Sequence, residues 1–189
     1  MLVEKTDALL VVDVQNDFCP GGALPVPEGD AVVAPINAVQ FQFDTLVFSR
    51  DWHPHDHCSF SDEPAFADMS WPPHCVEESA GAHFHGDLHV PSDAVIVSKG
   101  TDRDQEAYSA FADPALAPLL REKGIARIFV CGLTTDFCVR ATALDSVTAG
   151  FETWLIVDAC RGVSVETTER ALAEMAAAGV GMIPSRELA

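Results

Sequence analysis

Cys138 follows Thr134-Thr135-Asp136-Phe137 and opens a segment with helical periodicity, which places a thiol at the start of a helix. There the helix dipole and free N–H groups favour a thiolate and can hold an oxyanion. A thiol attacks only when ionised, so it needs a base and a cation nearby. Asp13, directly after the aliphatic run Ala8 to Val12, is the candidate base. Lys99, after Val95-Ile96-Val97-Ser98, is the candidate cation. An unpaired charge at either position would be costly, and an Asp13–Lys99 pair satisfies both. A purely structural ion pair would do the same, and Cys138 taken alone reads first as an ordinary buried cysteine.

A second constellation is Asp51-Trp52-His53-Pro54. In an extended chain Asp51 and His53 point the same way, so both can bind one metal ion. His74 could supply a third ligand, and His57 is a further candidate. Two imidazoles and a carboxylate with open positions suit zinc foremost, or iron or manganese. A chain with seven histidines also brings some together by chance in surface loops, and His55, His83, His85 and His89 are read as surface residues. Phe18, Trp52, Trp71 and Tyr108 fall in the same loops and could wall a flat, mostly apolar ligand, with core packing as the alternative.

The elements that must position these groups follow from hydrophobic patterning. Ala8 to Val12, Thr45 to Phe48, Ala94 to Val97, Arg127 to Val130 and Thr153 to Val157 are short apolar runs, as expected for strands buried on both faces; Val180 to Ile183 is a weaker sixth. Between them lie helical patterns. One is capped by Asp113-Pro114 and carries Leu116, Leu119 and Leu120 on one face, with Gly124 closing it. Another runs from Cys138 to Thr148, with Val139, Ala143, Leu144 and Val147 sharing a face. A third runs from Glu166 to Ala178, with Leu172 and Met175 inward and Gly179 behind. Residues 30–43 read as a short turn leading into a helix, because Pro35 interrupts them. Alternating strands and helices imply an α/β fold with a parallel sheet flanked by helices. The stretch from Asp51 to Val90 has no such pattern, and a loop that long in a compact domain is usually functional. Ligands of open α/β sheets sit at the carboxyl ends of the strands, and Asp13, Asp51, Lys99 and the turn leading to Cys138 all lie there.

Composition bounds the rest. The chain has 189 residues, 48% hydrophobic and 21% charged, which suits a single domain over 1–189 with a sizeable core. A formal net charge of −18 repels phosphate backbones and anionic membranes, so no nucleic-acid or membrane partner is expected. The first residues carry no basic region before an apolar run, and no run spans a bilayer, so a cytoplasmic protein is expected. Its six cysteines are then expected as free, mostly buried thiols.

Taken together, the ordered stretches Val12 to Cys19, Asp51 to Pro54, Trp71 to Val76, Ser98-Lys99-Gly100, Tyr108 to Phe111, Gly132 to Val139 and Asp158 to Val163 resemble the nicotinamidase branch of the isochorismatase-like hydrolase family. The likeness covers nearly the whole chain. It implies a Rossmann-like three-layer fold with a six-stranded parallel sheet in the order 3-2-1-4-5-6. It implies an Asp13–Lys99–Cys138 triad, a divalent metal on Asp51, His53 and His74, and a cis peptide between Leu133 and Thr134. The backbone N–H groups of Thr134 and Cys138 would form the oxyanion hole. Phe18, Trp71, Tyr108 and Leu133 would hold the substrate, nicotinamide, which becomes nicotinate and ammonia; pyrazinamide is expected as a second substrate. Homo-oligomers are common in the family. Two features depart from its pattern: many relatives carry Ala at the position of Thr134, and the spacing after His53 varies, which leaves the role of His57 open. The rival readings are another amide or ureido hydrolase of the same family, a vinyl-ether hydrolase, a metal-only amidase and a silent binding domain. Cys138 argues against the vinyl-ether chemistry, and the intact triad against the silent domain.

Overall fold

The computed structural model describes residues 1–188. Six strands form one sheet: β1 (Asp7–Val12), β2 (Thr45–Asp51), β3 (Val95–Lys99), β4 (Arg127–Leu133), β5 (Glu152–Arg161) and β6 (Gly181–Ile183). Their order is β3-β2-β1-β4-β5-β6, and every pairing is parallel. The chain winds outward from β1 in one direction and from β4 in the other, so a crevice opens where β1 and β4 end side by side. The aliphatic run of β1 is buried throughout, which is why it reads as a continuous apolar stretch.

Four helices flank the sheet: α1 (Val33–Val39), α2 (Leu116–Glu122), α3 (Arg140–Thr148) and α4 (Val165–Ala177). Pro35 and Pro118 each fall in a first helical turn, where the missing N–H has no intrahelical partner to lose. The Asp113 carboxylate accepts the Ala115 N–H at 2.9 Å, as an N-terminal cap should, but regular helix begins only at Leu116. Helix α4 is capped by Ser164, whose hydroxyl accepts the Thr167 N–H. Helix α3 departs from its expected apolar face. Its buried positions include Thr142 and Ser146, with Leu144 and Val147 only half-buried. The two hydroxyls are satisfied inside: Thr142 accepts the Ala110 N–H, and Ser146 bonds Thr153 at 2.7 Å.

The strands run further than their apolar cores. Asp51 and Lys99 are the last residues of β2 and β3 and pair with each other in register, rather than following the strands. Strand β5 continues to Arg161 because its register with β4 shifts between Val130 and Gly132, after which Cys160 and Arg161 pair again. Gly132 also lets β4 approach β1 closely. Its φ is +115°, and a Cβ there would lie 2.1 Å from the Val12 carbonyl oxygen. Residues 52–94, between β2 and β3, contain no regular element. They are tied down by isolated bridges, Gln15 with Phe84, His53 with Val76 and Phe60 with Trp71. Among the described residues no helix is long and apolar enough to cross a membrane. All six cysteines are free, and only Cys58 is exposed.

Candidate active site and metal centre

Asp13, Lys99 and Cys138 meet at the carboxyl end of the sheet, all buried. Asp13 caps β1 with φ +48°, a left-handed conformation that Asp tolerates better than most residues. Its Oδ1 accepts the Ser49 hydroxyl at 2.7 Å, and its Oδ2 faces Lys99 Nζ at 2.8 Å as an ion contact without an aligned hydrogen bond. Lys99 Nζ also reaches the Asp51 carboxylate, the Ala107 carbonyl at 3.3 Å and Cys138 Sγ at 3.4 Å. The ammonium therefore sits between two carboxylates and the thiol.

Electrostatics divides the proton states. Burial would push Lys99 down, but Asp13 and Asp51 hold it well above the usual lysine range, so it stays charged. Burial raises the Asp13 carboxyl to about 6, with Asp51 adding to the rise and Lys99 opposing it. Burial also pushes Cys138 well above an ordinary thiol; Lys99 pulls it down, but the two carboxylates restore the rise. Burial and the two carboxylates thus outweigh the pull of Lys99 and of a helix start toward a thiolate. The local backbone differs too. Cys138 lies inside a π-helical turn, Thr135–Val139, that precedes α3. The Leu133–Thr134 peptide is cis, as the resemblance implies.

Asp51, His53 and His74 form a buried group whose ligand atoms lie within 4.8 Å of one another. The carbonyls of Gly100 and Pro72 lie 2.9 and 2.8 Å from Nδ1 of His53 and His74. A carbonyl can only accept, so each Nδ1 carries a proton, and in the neutral ring each Nε2 keeps a lone pair for a metal ion. His53 Nε2 lies 3.8 Å from Asp51 Oδ2. Burial lowers His74, favouring neutral imidazole; Asp51 raises His53 against its burial; and Lys99 holds Asp51 ionised against its own burial. This donor set fits a divalent ion. His57 is not in this group. Its ring lies 4.3 Å from that of His53, tilted by 36°; Nε2 donates to the Gln105 carbonyl at 3.3 Å and Nδ1 accepts from Ser59 Oγ at 2.8 Å. It belongs to a second group that could hold a metal ion, with His53 and Glu106.

A cavity brings Cys138 of the first constellation together with the metal group, lined by Asp51, His53, His74, Thr134 and Cys138. Phe18, Trp71 and Tyr108 line it as expected, with Trp71 Nε1 donating to the Tyr108 hydroxyl at 3.1 Å. Leu133 does not: it is fully buried behind the turn, and Phe137 provides the apolar surface there. Trp52 is also outside the cavity, with the Arg50 guanidinium 3.7 Å above its ring. Phe66 lines the cavity unanticipated, because nothing in sequence distinguishes it from other loop residues.

Residues with no expected role hold the site in shape. Gln15, fully buried, donates to the carbonyls of Asp51 and Ala82 and accepts the Asp51 N–H at 2.8 Å. Asp17 accepts the N–H groups of Cys75 at 2.7 Å and Ala23 at 3.0 Å, joining two loops. Asp136 accepts the Val163 N–H and the Thr167 hydroxyl, fixing the turn of Cys138 to the start of α4. A polar side chain two residues after a strand-end aspartate was the available sign for Gln15; the partners of the others are distant in sequence.

Comparison with known proteins identifies the family of the chain. The chain matches the Isochorismatase domain family over residues 7–187. It is 38% identical to the nicotinamidase of Acinetobacter baylyi, over 96% of this chain and 94% of that one. It is 42% identical to the nicotinamidase/pyrazinamidase of Mycobacterium tuberculosis, over 94% and 98%. Among solved structures, the pyrazinamidase of Pyrococcus horikoshii in complex with zinc aligns at TM-score 0.86 and 45% identity, over 95% of this chain and 99% of that one. PnC1 from L. infantum in complex with nicotinate aligns at TM-score 0.91 and 40% identity, over 100% and 98%. With its parallel sheet, its buried Asp–Lys–Cys cluster and these matches along nearly its full length, the chain belongs to the isochorismatase family.

Proposed function

We propose that this protein is a nicotinamidase, hydrolysing nicotinamide to nicotinate and ammonia and accepting pyrazinamide as a second substrate. One observation carries the reading: the thiol of a buried Asp–Lys–Cys cluster lines the same apolar cavity as an Asp–His–His metal group. The relatives named nicotinamidase and the nicotinate-bound neighbour support it. In this reading residues 1–189 act as one hydrolase domain in the cytoplasm.

The steps follow from the proton states. Phe18, Trp71 and Tyr108 hold the flat ring with its carboxamide toward Cys138. As Sγ attacks the carbonyl carbon, its proton passes to Asp13. The backbone N–H groups of Thr134 and Cys138 take up the oxyanion. The C–N bond then breaks, and Asp13 returns the proton to the leaving nitrogen, releasing ammonia. Asp13 next removes a proton from water, which attacks the thioester; the C–S bond breaks, the thiol is restored and nicotinate leaves. Lys99 balances the negative charge through both halves. Asp51, His53 and His74 would hold a divalent ion, zinc by the donor set and by the zinc complex of the P. horikoshii neighbour, and a bound ion supplies an anchor for the ring nitrogen.

Purified protein incubated with nicotinamide should yield nicotinate and ammonia in equal amounts, and Cys138→Ala should abolish both. Turnover that survives Cys138→Ala excludes the thioester route. A wild type that forms neither product, with metal supplied, excludes the nicotinamide assignment.

A further inference from the structure

We infer that Phe66 is a specificity-determining residue of this site, forming the outer wall that covers a flat ring and favours aromatic amides over small aliphatic ones. The inference rests on the amidase reading above. Phe66 lines the same cavity as Cys138 and Trp71, and its ring meets Trp71 edge-on, 5.8 Å between centroids at 64°. The inner walls, Phe18 and Trp71, are 5% and 8% exposed, whereas Phe66 is 50% exposed. One large apolar ring thus stands at the mouth of the cavity with half its surface uncovered.

The loop carrying it is tied to itself. Its base is closed by Ser61 N–H donating to Trp71 O and Trp71 N–H donating to Ser59 O, both at 2.8 Å. Its tip is closed by Ala65 N–H on the Ser70 hydroxyl at 2.9 Å and Met69 N–H on the Phe66 carbonyl at 3.1 Å. Ala65 to Met69 are all exposed. Phe66 itself has φ +59°, a left-handed conformation in which a bulky side chain meets a steric penalty. Neither burial nor regular structure accounts for an aromatic held in this way, and outliers of this kind cluster at ligand clamps. A flat aromatic ring bound against Trp71 would cover the exposed face of Phe66 and gain an aromatic contact. A short aliphatic amide reaching Cys138 would not extend to it.

The test compares wild type, Phe66→Ala and Phe66→Tyr, with steady-state kinetics on nicotinamide and pyrazinamide, calorimetric titration with nicotinate, and thermal melting. Phe66→Ala should raise KM and weaken nicotinate binding by roughly tenfold, with kcat little changed. Phe66→Tyr should restore wild-type KM, and the melting temperatures of all three should agree. An active Phe66→Ala enzyme with unchanged KM and nicotinate affinity overturns the inference and leaves the nicotinamidase reading intact. A joint fall in kcat and melting temperature, unrescued by Tyr, would mark Phe66 as structural and also overturn it. Absence of turnover and nicotinate binding in the wild type itself removes the underlying reading and the inference with it.

Discussion

Replacing Gly100 with Ala should disable the metal group without touching a ligand. Gly100 follows Lys99 with φ +62°, and its carbonyl accepts the His53 Nδ1–H at 2.9 Å. An added Cβ would lie 2.3 Å from His53 Cε1 and 2.5 Å from Nδ1. Ordinary contact begins near 3.4 Å, so the ring must retreat by about 1 Å. It has nowhere to go: His53 is 1% exposed, with the tilted ring of His57 at 4.3 Å and Phe60 and His74 meeting it edge-on at 5.5 and 5.1 Å. Two effects should therefore separate. The left-handed backbone costs Ala about 1–2 kcal/mol, which lowers Tm by roughly 2–8 °C in a chain of this size. The displaced ring and its lost orienting bond should weaken metal affinity by about 10–100-fold. Gly124→Ala supplies the control, because its φ is +74° yet a Cβ there meets nothing within 4 Å. It should share the loss of Tm and keep the metal. Zinc affinity is measured by competition with a chromogenic chelator, alongside thermal melts. Wild-type affinity in Gly100→Ala would refute the reasoning, as would equal metal loss in Gly124→Ala.

The remaining predictions concern the reacting groups. Because burial and Asp51 raise the Asp13 carboxyl to about 6 and the proposed base acts deprotonated, kcat/KM should hold above that pH. It should fall by about tenfold per unit below it. A profile measured with excess metal that stays flat to pH 5 would exclude Asp13 as the base. Among the described residues the buried Thr134 hydroxyl has no hydrogen-bond partner, an arrangement that costs about 1–3 kcal/mol. Thr134→Val keeps the shape and removes the orphan, so its melting temperature should rise; a fall would show that the hydroxyl is satisfied in solution.

Much of this protein was legible in its residues alone. The strand cores announce themselves because a strand covered on both faces must be apolar at every position, as Ala8 to Val12 are. Asp13, Asp51 and Lys99 stand out because a charge at the end of such a run needs a partner. The spacing of Asp51 and His53 follows from the two-residue period of an extended chain, and β2 ends in that conformation. Other features required the folded chain. The thiol state of Cys138 is decided by burial and by two carboxylates that arrive from β1 and β2. The partners of His57, Ser59 and the Gln105 carbonyl, and its grouping with His53 and Glu106 rather than with Asp51 and His74, exist only in the folded chain. Phe137 takes the place expected of Leu133, because Leu133 ends β4 fully buried while Phe137, in the π-helical turn, lines the cavity. The supporting partners, Gln15 to Asp51, Asp17 to Cys75 and Asp136 to Thr167, lie 36, 58 and 31 residues apart. Local sequence determines which conformations and charges each segment can sustain; pairings across such distances exist only once the sheet has brought the strand ends together.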